Sequence, residues 1–383
     1  MINELTISNF KKFDRLQLHN LSRINLFVGT NNVGKTSLLE AIFAFACGEN
    51  ITPLLSVSVF RRLQTIENGW QSPYPFAEAI WNTFHDKQNI NNMSFQLSGY
   101  INGKIHNVTH RFVGGSIFSD FLPNETGSFG DLSMLQMPGN RKSDDNLLSQ
   151  RQILGSWEIK LNNQSKHTFS LTYPLFSEII PPATPFILAK MDDILAHRNE
   201  IENRQVFSFV SRAGLVPELI KELNHCFSGE QIVDINSIPY PDGSVAPISV
   251  RFSNGCSYPL YALGDGMRRW FHLIGSMLVY KNAVHCIEEI DATIHHQAQE
   301  DLSYNLCKYA QKYGNQLFIT THSQEYLQAF LSSVKNHEEE KQIFLQDDIR
   351  VITLREVNHG VRVRVLSGNE ATEALNDGLE LRV

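Results

Sequence analysis

The chain has 383 residues, 42% hydrophobic and 19% charged, with a formal net charge of −7. That length suits two or three globular units or one large α/β unit with insertions, and the balance excludes a disordered or fibrous chain. The acidic total argues against a globally basic nucleic-acid binder and leaves room only for a local basic groove.

The first elements predicted are outer strands over residues 6–13 and 15–18, then a short buried strand over 24–28. Next comes Gly29-Thr30-Asn31-Asn32-Val33-Gly34-Lys35-Thr36, a full G-x-x-x-x-G-K-[ST] pattern, and Ser37 opens a helix. Strand, glycine loop and helix in this order form a phosphate cradle. The glycines let backbone N–H groups close on phosphate oxygens, and the helix N-terminus adds its dipole. Gly29, Asn31, Asn32, Gly34, Lys35, Thr36 and Ser37 are therefore candidate nucleotide ligands. Lys35 is expected at the β/γ-phosphates and the Thr36 hydroxyl on Mg²⁺.

Residues 94–101 and 104–112 flank Asn102-Gly103, a two-residue hairpin signal, and 157–161 with 168–173 repeat the pattern around a longer polar loop. Residues 114–150, rich in Gly, Ser, Asn and Asp, read as a long surface loop or insertion. The pattern turns helical over 187–227. Strands resume near Ile232, with turns at Pro241-Asp242-Gly243 and Asn254-Gly255. After residue 264 it reads helix, strand, helix, strand, helix and a closing hairpin about Asn358-His359-Gly360. Five scattered cysteines without a C-x-x-C pair suit reduced thiols. No apolar run approaches a membrane span of about 20 residues. Charged residues 11–15 stand where a signal peptide needs its apolar core, so a cytoplasmic protein is expected.

Three further motifs carry chemistry. Val284-His285-Cys286-Ile287-Glu288-Glu289 reads as a buried strand delivering two acids to a site: Glu288 for the metal's water shell, Glu289 to orient or deprotonate an attacking water. Gln316 to Ser323 is an apolar strand ending in Thr320-Thr321-His322-Ser323, with His322 placed to sense a γ-phosphate. Gly264-Asp265-Gly266, before Met267, Arg268, Arg269 and an amphipathic helix, makes a second backbone anion site. Two anion sites in one chain suggest that two chains share each nucleotide.

In order and wording these motifs resemble ABC-type ATPase heads of the SMC, RecF and OLD group, closest to the OLD-like ATPases of the AAA-15 and AAA-21 type. The resemblance covers roughly 1–48 and 258–325. It implies an α/β fold, a P-loop NTPase of ABC-ATPase head type, with a mixed sheet, an antiparallel β-subdomain and a helical lobe. It implies ATP and Mg²⁺ as cofactors, ATP hydrolysis, and the 264–266 loop acting across a head-to-head dimer. Glu289 matches the catalytic glutamate, His322 the switch histidine, and Glu288 stands where Asp is usual. Asp291 through His295 match the loop after the catalytic acid. Asn9 to Phe13 resembles the family's opening motif, whose basic residue places Lys12 near the nucleotide. Gln64 and Gln136 both compete for the Q-loop.

Segments expected are 1–186 with the phosphate loop and β-rich insertion, 187–280 with the 264–266 loop, and 281–383 completing the core. Only some sixty residues follow His322, too few for the nuclease domain of many OLD proteins. The resemblance therefore implies an oligomeric sensor or scaffold controlling a separate effector, a nuclease or toxin, in anti-phage defence. PARIS-type, Septu-type and retron-associated ATPases are most similar in layout. The rival readings are a RecF-like repair ATPase that binds DNA and a nucleotide-gated scaffold with little turnover. No Asn-Lys-x-Asp motif of a GTPase occurs.

Overall fold

The computed structural model describes residues 1–55, 57, 73–86, 89, 92–116, 118–119, 122, 152–173, 184–227, 229–238, 240, 242, 246–293, 299–336, 347–358 and 360–382. Gln64, Gln136 and most of 114–150 lie outside them, as do Ile294 and His295. The chain divides into two discontinuous units: 1–3, 19–39 and 187–383 form one, and 4–18 with 40–186 the other. The chain passes between them four times, whereas the sequence reading divides it into consecutive segments.

The first unit is built on a six-stranded sheet. Its strands are β3 (Ile24–Val28), β8 (Ala189–Asp192), β12 (Val284–Ile287), β13 (Gln316–Thr320), β14 (Ile349–Val357) and β15 (Gly360–Ser367), in the order β15-β14-β3-β13-β12-β8. All neighbours run parallel except the β14–β15 hairpin. Strands β3, β12 and β13 are buried at every position, the pattern of parallel strands covered on both faces. Leu26 pairs with Ile319 and Ile287 with Ile319, so these strands end level. The loops beginning at Gly29, Glu288 and Thr321 consequently leave from one edge, where open α/β sheets place their ligands.

Helix α1 (Lys35–Cys47) follows β3, and α2 (Ile51–Leu55) and α3 (Pro73–Trp81) come after it. In the first unit, α4 (Glu200–Arg212), α5 (Val216–Cys226), α6 (Asp265–Val279), α7 (Gln299–Lys312), α8 (Gln324–Asn336) and α9 (Gly368–Asn376) surround the sheet. Leu219, Leu223, Trp270, Ile274, Met277, Tyr309 and Phe330 share one core with Leu26 and Ile319. A small antiparallel sheet of β9 (Ile232–Asn236), β10 (Ser249–Phe252) and β11 (Ser257–Pro259) joins them.

The second unit carries an antiparallel sheet. It comprises β1 (Ile2–Phe10), β2 (Phe13–Leu18), β4 (Met93–Ile101), β5 (Lys104–Gly114), β6 (Gln152–Leu161) and β7 (Gln164–Tyr173), in the order β2-β1-β4-β5-β6-β7. Asn102 and Gly103 both have positive φ (50° and 77°), the turn expected from that dipeptide. Phe10, Phe84, Phe95, Phe112 and Trp157 fill its core.

Three expectations are corrected and one element is added. The strand expected over 6–13 breaks at Lys11 (φ 48°), and Phe10 pairs with Phe13 across a tight turn. The longer polar loop after residue 161 is a two-residue turn, because Asn162 and Asn163 both adopt positive φ (50° and 67°). Within the helical stretch 187–227, residues 189–192 form β8, a short edge strand fixed by parallel pairing to β12 and not by local pattern. Ser367, whose hydroxyl accepts the Glu370 N–H while the Glu370 carboxylate accepts the Ser367 N–H, starts the unexpected α9 with a capping box. No helix among the described residues is long and apolar enough to cross a membrane.

Candidate nucleotide site

The phosphate loop joins the end of β3 to the start of α1. Gly29 is buried with φ 151°, and a Cβ there would lie 2.6 Å from the Leu354 carbonyl oxygen, so the position admits only glycine. Asn32 (φ 62°) and Gly34 (φ 109°) complete the reversal into the helix. Thr30, Asn31 and Asn32 form an exposed tip over the buried Val33, while Thr36 and Ser37 are half-buried in the first helical turn.

Lys35 is 8% exposed. Its ammonium donates to the carbonyls of Gly29 at 2.8 Å and Thr30 at 3.0 Å, folding back over its own loop. Burial pulls its pKa below the ordinary value, opposed by the carboxylates of Glu289 and Asp291. A cation held over the loop, with its charge only partly offset, suits a phosphate chain.

Glu288 and Glu289 follow β12. The Thr36 hydroxyl donates to Glu288 Oε1 at 2.5 Å, so the two predicted metal-site groups converge from α1 and β12. A hydroxyl and a carboxylate are hard oxygen donors of the kind Mg²⁺ takes with nucleotide phosphates and water. Among the described residues no cluster of three or more His, Cys, Asp or Glu side chains offers a separate metal site. Glu289 has φ 43°. Its N–H donates to Thr320 Oγ1 at 2.9 Å, and its carbonyl accepts from Arg269 Nη2 at 3.1 Å.

His322 follows β13 with its side chain 47% exposed and Nδ1 3.7 Å from Asp291 Oδ2. Its carbonyl accepts from Arg382 at 2.9 Å. Asp291 Oδ1 is buried and makes no hydrogen bond among the described residues.

Gly264 is exposed and caps α6 without a side-chain hydrogen bond, and a Cβ on it would meet nothing within 4 Å. The helix start is thus without a side-chain cap and has room beside Gly264, as an anion site requires. The Asp265 carboxylate is held by Arg198 and by Arg268 at 3.2 Å, with His197 3.7 Å away. The bond from Arg198 lowers its pKa. Gly266 lies half-buried in the first turn of α6. The Lys11 ammonium is paired with Glu40 in the second unit, and Lys12 follows in the same tight turn. The first unit therefore brings together Gly29, Gly34, Lys35, Thr36, Glu288, Glu289 and His322 at one sheet edge, while Lys12 belongs to the other unit.

Sequence reasoning missed Arg269 and Thr320. Arg269 is 2% exposed, and its guanidinium donates to the carbonyls of Ile194, Glu288 and Glu289. His272, one turn on, meets Asp192 at 2.9 Å and Asn203 at 2.8 Å, both buried. Burial would raise the Asp192 pKa, but Lys190 and the bond to His272 outweigh it and hold the carboxyl well below its usual range. The signal was the i, i+4, i+7 spacing of Asp265, Arg269 and His272, a polar stripe on a helix otherwise read by its apolar face.

The fold is that of a P-loop NTPase of ABC-ATPase head type, with a mixed sheet in one unit and an antiparallel sheet in the other. Residues 1–53 and 55–327 match the model of the AAA_15 family, described as an AAA ATPase domain, and the chain belongs to that family. It is similar to an ATP/GTP phosphatase of Helicobacter pylori, 21% identical over 373 residues, covering 92% of this chain and 94% of that one. In fold it resembles an SMC head bound to the C-winged helix domain of ScpA (TM-score 0.56, 12% identity, covering 97% of this chain and 99% of that one). It also resembles an SMC head with an extended coiled coil, bound to the C-terminal domain of ScpA derived from Pyrococcus furiosus (TM-score 0.52, 10% identity, 98% of each chain).

Proposed function

We propose that this chain binds and hydrolyses ATP with Mg²⁺ between two copies of itself, and that the nucleotide state controls a separate effector. One observation carries the catalytic part: the Thr36 hydroxyl meets Glu288 2.5 Å away, beside a buried Lys35 that feels the charge of Glu289. Mg²⁺ bound there would neutralise phosphate charge and align the chain of phosphates. Lys35 and the loop amides hold the β/γ-phosphates, Thr36 and Glu288 would hold the metal shell, and Glu289 takes the proton from the attacking water. His322, exposed and beside Asp291, reads the γ-phosphate.

The uncapped, exposed start of α6 supports the shared site. It offers amides to an anion that a second chain would bring. The effector reading, a nuclease or toxin controlled in anti-phage defence, rests on the resemblance of the motif order to such ATPases. The SMC heads crystallised with ScpA domains make a protein partner reasonable for the fold. A repair ATPase that binds DNA has one observation in its favour. A cleft of about 790 Å³ between α5 and α7 is lined by Lys221, Lys308 and Lys312, the last of them already paired with Glu218 and Glu222.

Mass measured by light scattering on Glu289→Gln, with and without Mg-ATP, tests the shared site. A nucleotide-dependent doubling is expected. A monomer in both states at micromolar concentration contradicts it.

A further inference from the structure

The backbone of Glu289 is tied at both ends by side chains from other elements. Its φ of 43° is a left-handed setting that a non-glycine residue keeps only where its surroundings impose it. Thr320 Oγ1 accepts its N–H. Arg269 Nη2 donates to its carbonyl at 3.1 Å and to that of Glu288 at 2.6 Å, while Nη1 reaches the Ile194 carbonyl at 3.0 Å. A planar guanidinium serves three carbonyls with a rigid fork, whereas the three donors of a lysine ammonium radiate from one atom on a flexible stem. Burying that charge is costly, and the carboxylates of Asp192, Asp291 and Asp193 oppose the cost. Replacing Arg269 with an apolar side chain would take a donor from all three carbonyls and a counter-charge from the carboxylates, so the guanidinium holds the backbone of the two acids where it is.

Arg269 also stands one turn beyond Asp265, on the helix that Gly264 opens. Asp265, Arg269 and His272 share one face of α6 and grip the 192–203 segment: Asp265 through Arg198, Arg269 through Ile194, and His272 through Asp192 and Asn203. A helix is stiff along its axis, so a load at its exposed N-cap, Gly264, is delivered to Arg269.

We infer that Arg269 is a positioning residue that couples the Gly264–Gly266 loop to Glu289, setting the acid for water attack when that loop engages an anion. The inference rests on the reading of Glu289 as the base.

The test compares the full chain with Arg269→Lys and Arg269→Gln. We expect kcat to fall about 30-fold or more while the affinity for a fluorescent ATP analogue changes less than about 3-fold, as for a misplaced catalytic group. Amide exchange over 288–293 should quicken about tenfold or more, with exchange in α1 unchanged. In a Glu289→Gln background, Arg269→Lys should alter the residual rate less than about twofold, because both changes act on one step. Parental kcat in Arg269→Gln overturns the coupling, as does a loss of nucleotide affinity in step with turnover. Failure of both variants to fold assigns Arg269 to the core and overturns it too. If Glu289→Gln turns over like the parent, the base is misassigned. Exchange over 288–293 then still decides whether Arg269 holds that segment, and unchanged exchange rejects it.

Discussion

The Thr36 hydroxyl lies 2.5 Å from Glu288 Oε1 although 252 positions separate the two residues. The contact exists because β3 and β12 flank β13 in level register, so α1 and the end of β12 leave the sheet side by side. Loss of the Glu288 carboxylate should therefore act through the metal. In Glu288→Gln, the Mg²⁺ concentration for half-maximal phosphate release should rise about tenfold or more, the usual scale for a metal-site partner. Metal-free nucleotide affinity should stay unchanged. A parental Mg²⁺ dependence would remove Glu288 from the metal shell.

Lys35 is held by two loop carbonyls and is pulled below its ordinary pKa chiefly by burial. Lys35→Ala should weaken binding of a fluorescent ATP analogue by about tenfold or more, as expected for a lost charge-assisted contact. Circular dichroism should stay parental. Unchanged affinity would place the phosphates elsewhere.

Gly264 has room around it and an ordinary φ of −58°, so its own fold tolerates a side chain. Gly264→Trp should keep the melting temperature within about 2 °C, as a surface change does. It should abolish ATP-dependent association and reduce turnover about 100-fold, the scale for losing one transition-state contact. Full turnover in this variant would argue that α6 takes no part in hydrolysis.

Three buried histidines with lowered pKa values, His110, His197 and His285, predict acid sensitivity. Burial pushes the His110 pKa down to about 3. Burial, then the Arg269 charge, push that of His197 down to about 4. In the unfolded chain all three titrate near about 6.5. Between those values only the unfolded state takes up these protons, so stability falls as pH drops from about 7 toward about 4. Asp192, whose carboxyl is held low, loses its stabilising charge only in stronger acid. Melting temperature should decline steadily from pH 7 to pH 5, and His110→Gln should flatten the slope. A flat profile in the parent would contradict neutral burial of these rings.

The phosphate loop was legible because its chemistry is local: glycines, Lys35 and Thr36 stand consecutively, and only glycine fits at Gly29. The β12 and β13 strands were legible as apolar runs ending in polar residues. Strand β8 was not, since Ala189–Asp192 is a strand only through pairing with β12, nearly a hundred residues on. The Asn162-Asn163 turn was missed because a left-handed asparagine pair looks like any polar loop in sequence. Arg269 was missed for a related reason. Its partners are backbone carbonyls, which carry no residue type for a pattern to recognise.

Phosphate release from ATP, measured alongside nucleotide affinity in the parent and in Glu289→Gln, tests the catalytic assignment most directly. The parent should release phosphate in a Mg²⁺-dependent reaction. Glu289→Gln should bind ATP with affinity within about threefold of the parent and turn over about 100-fold more slowly. Equal turnover in the two proteins, or none in the parent at saturating Mg-ATP, would contradict it.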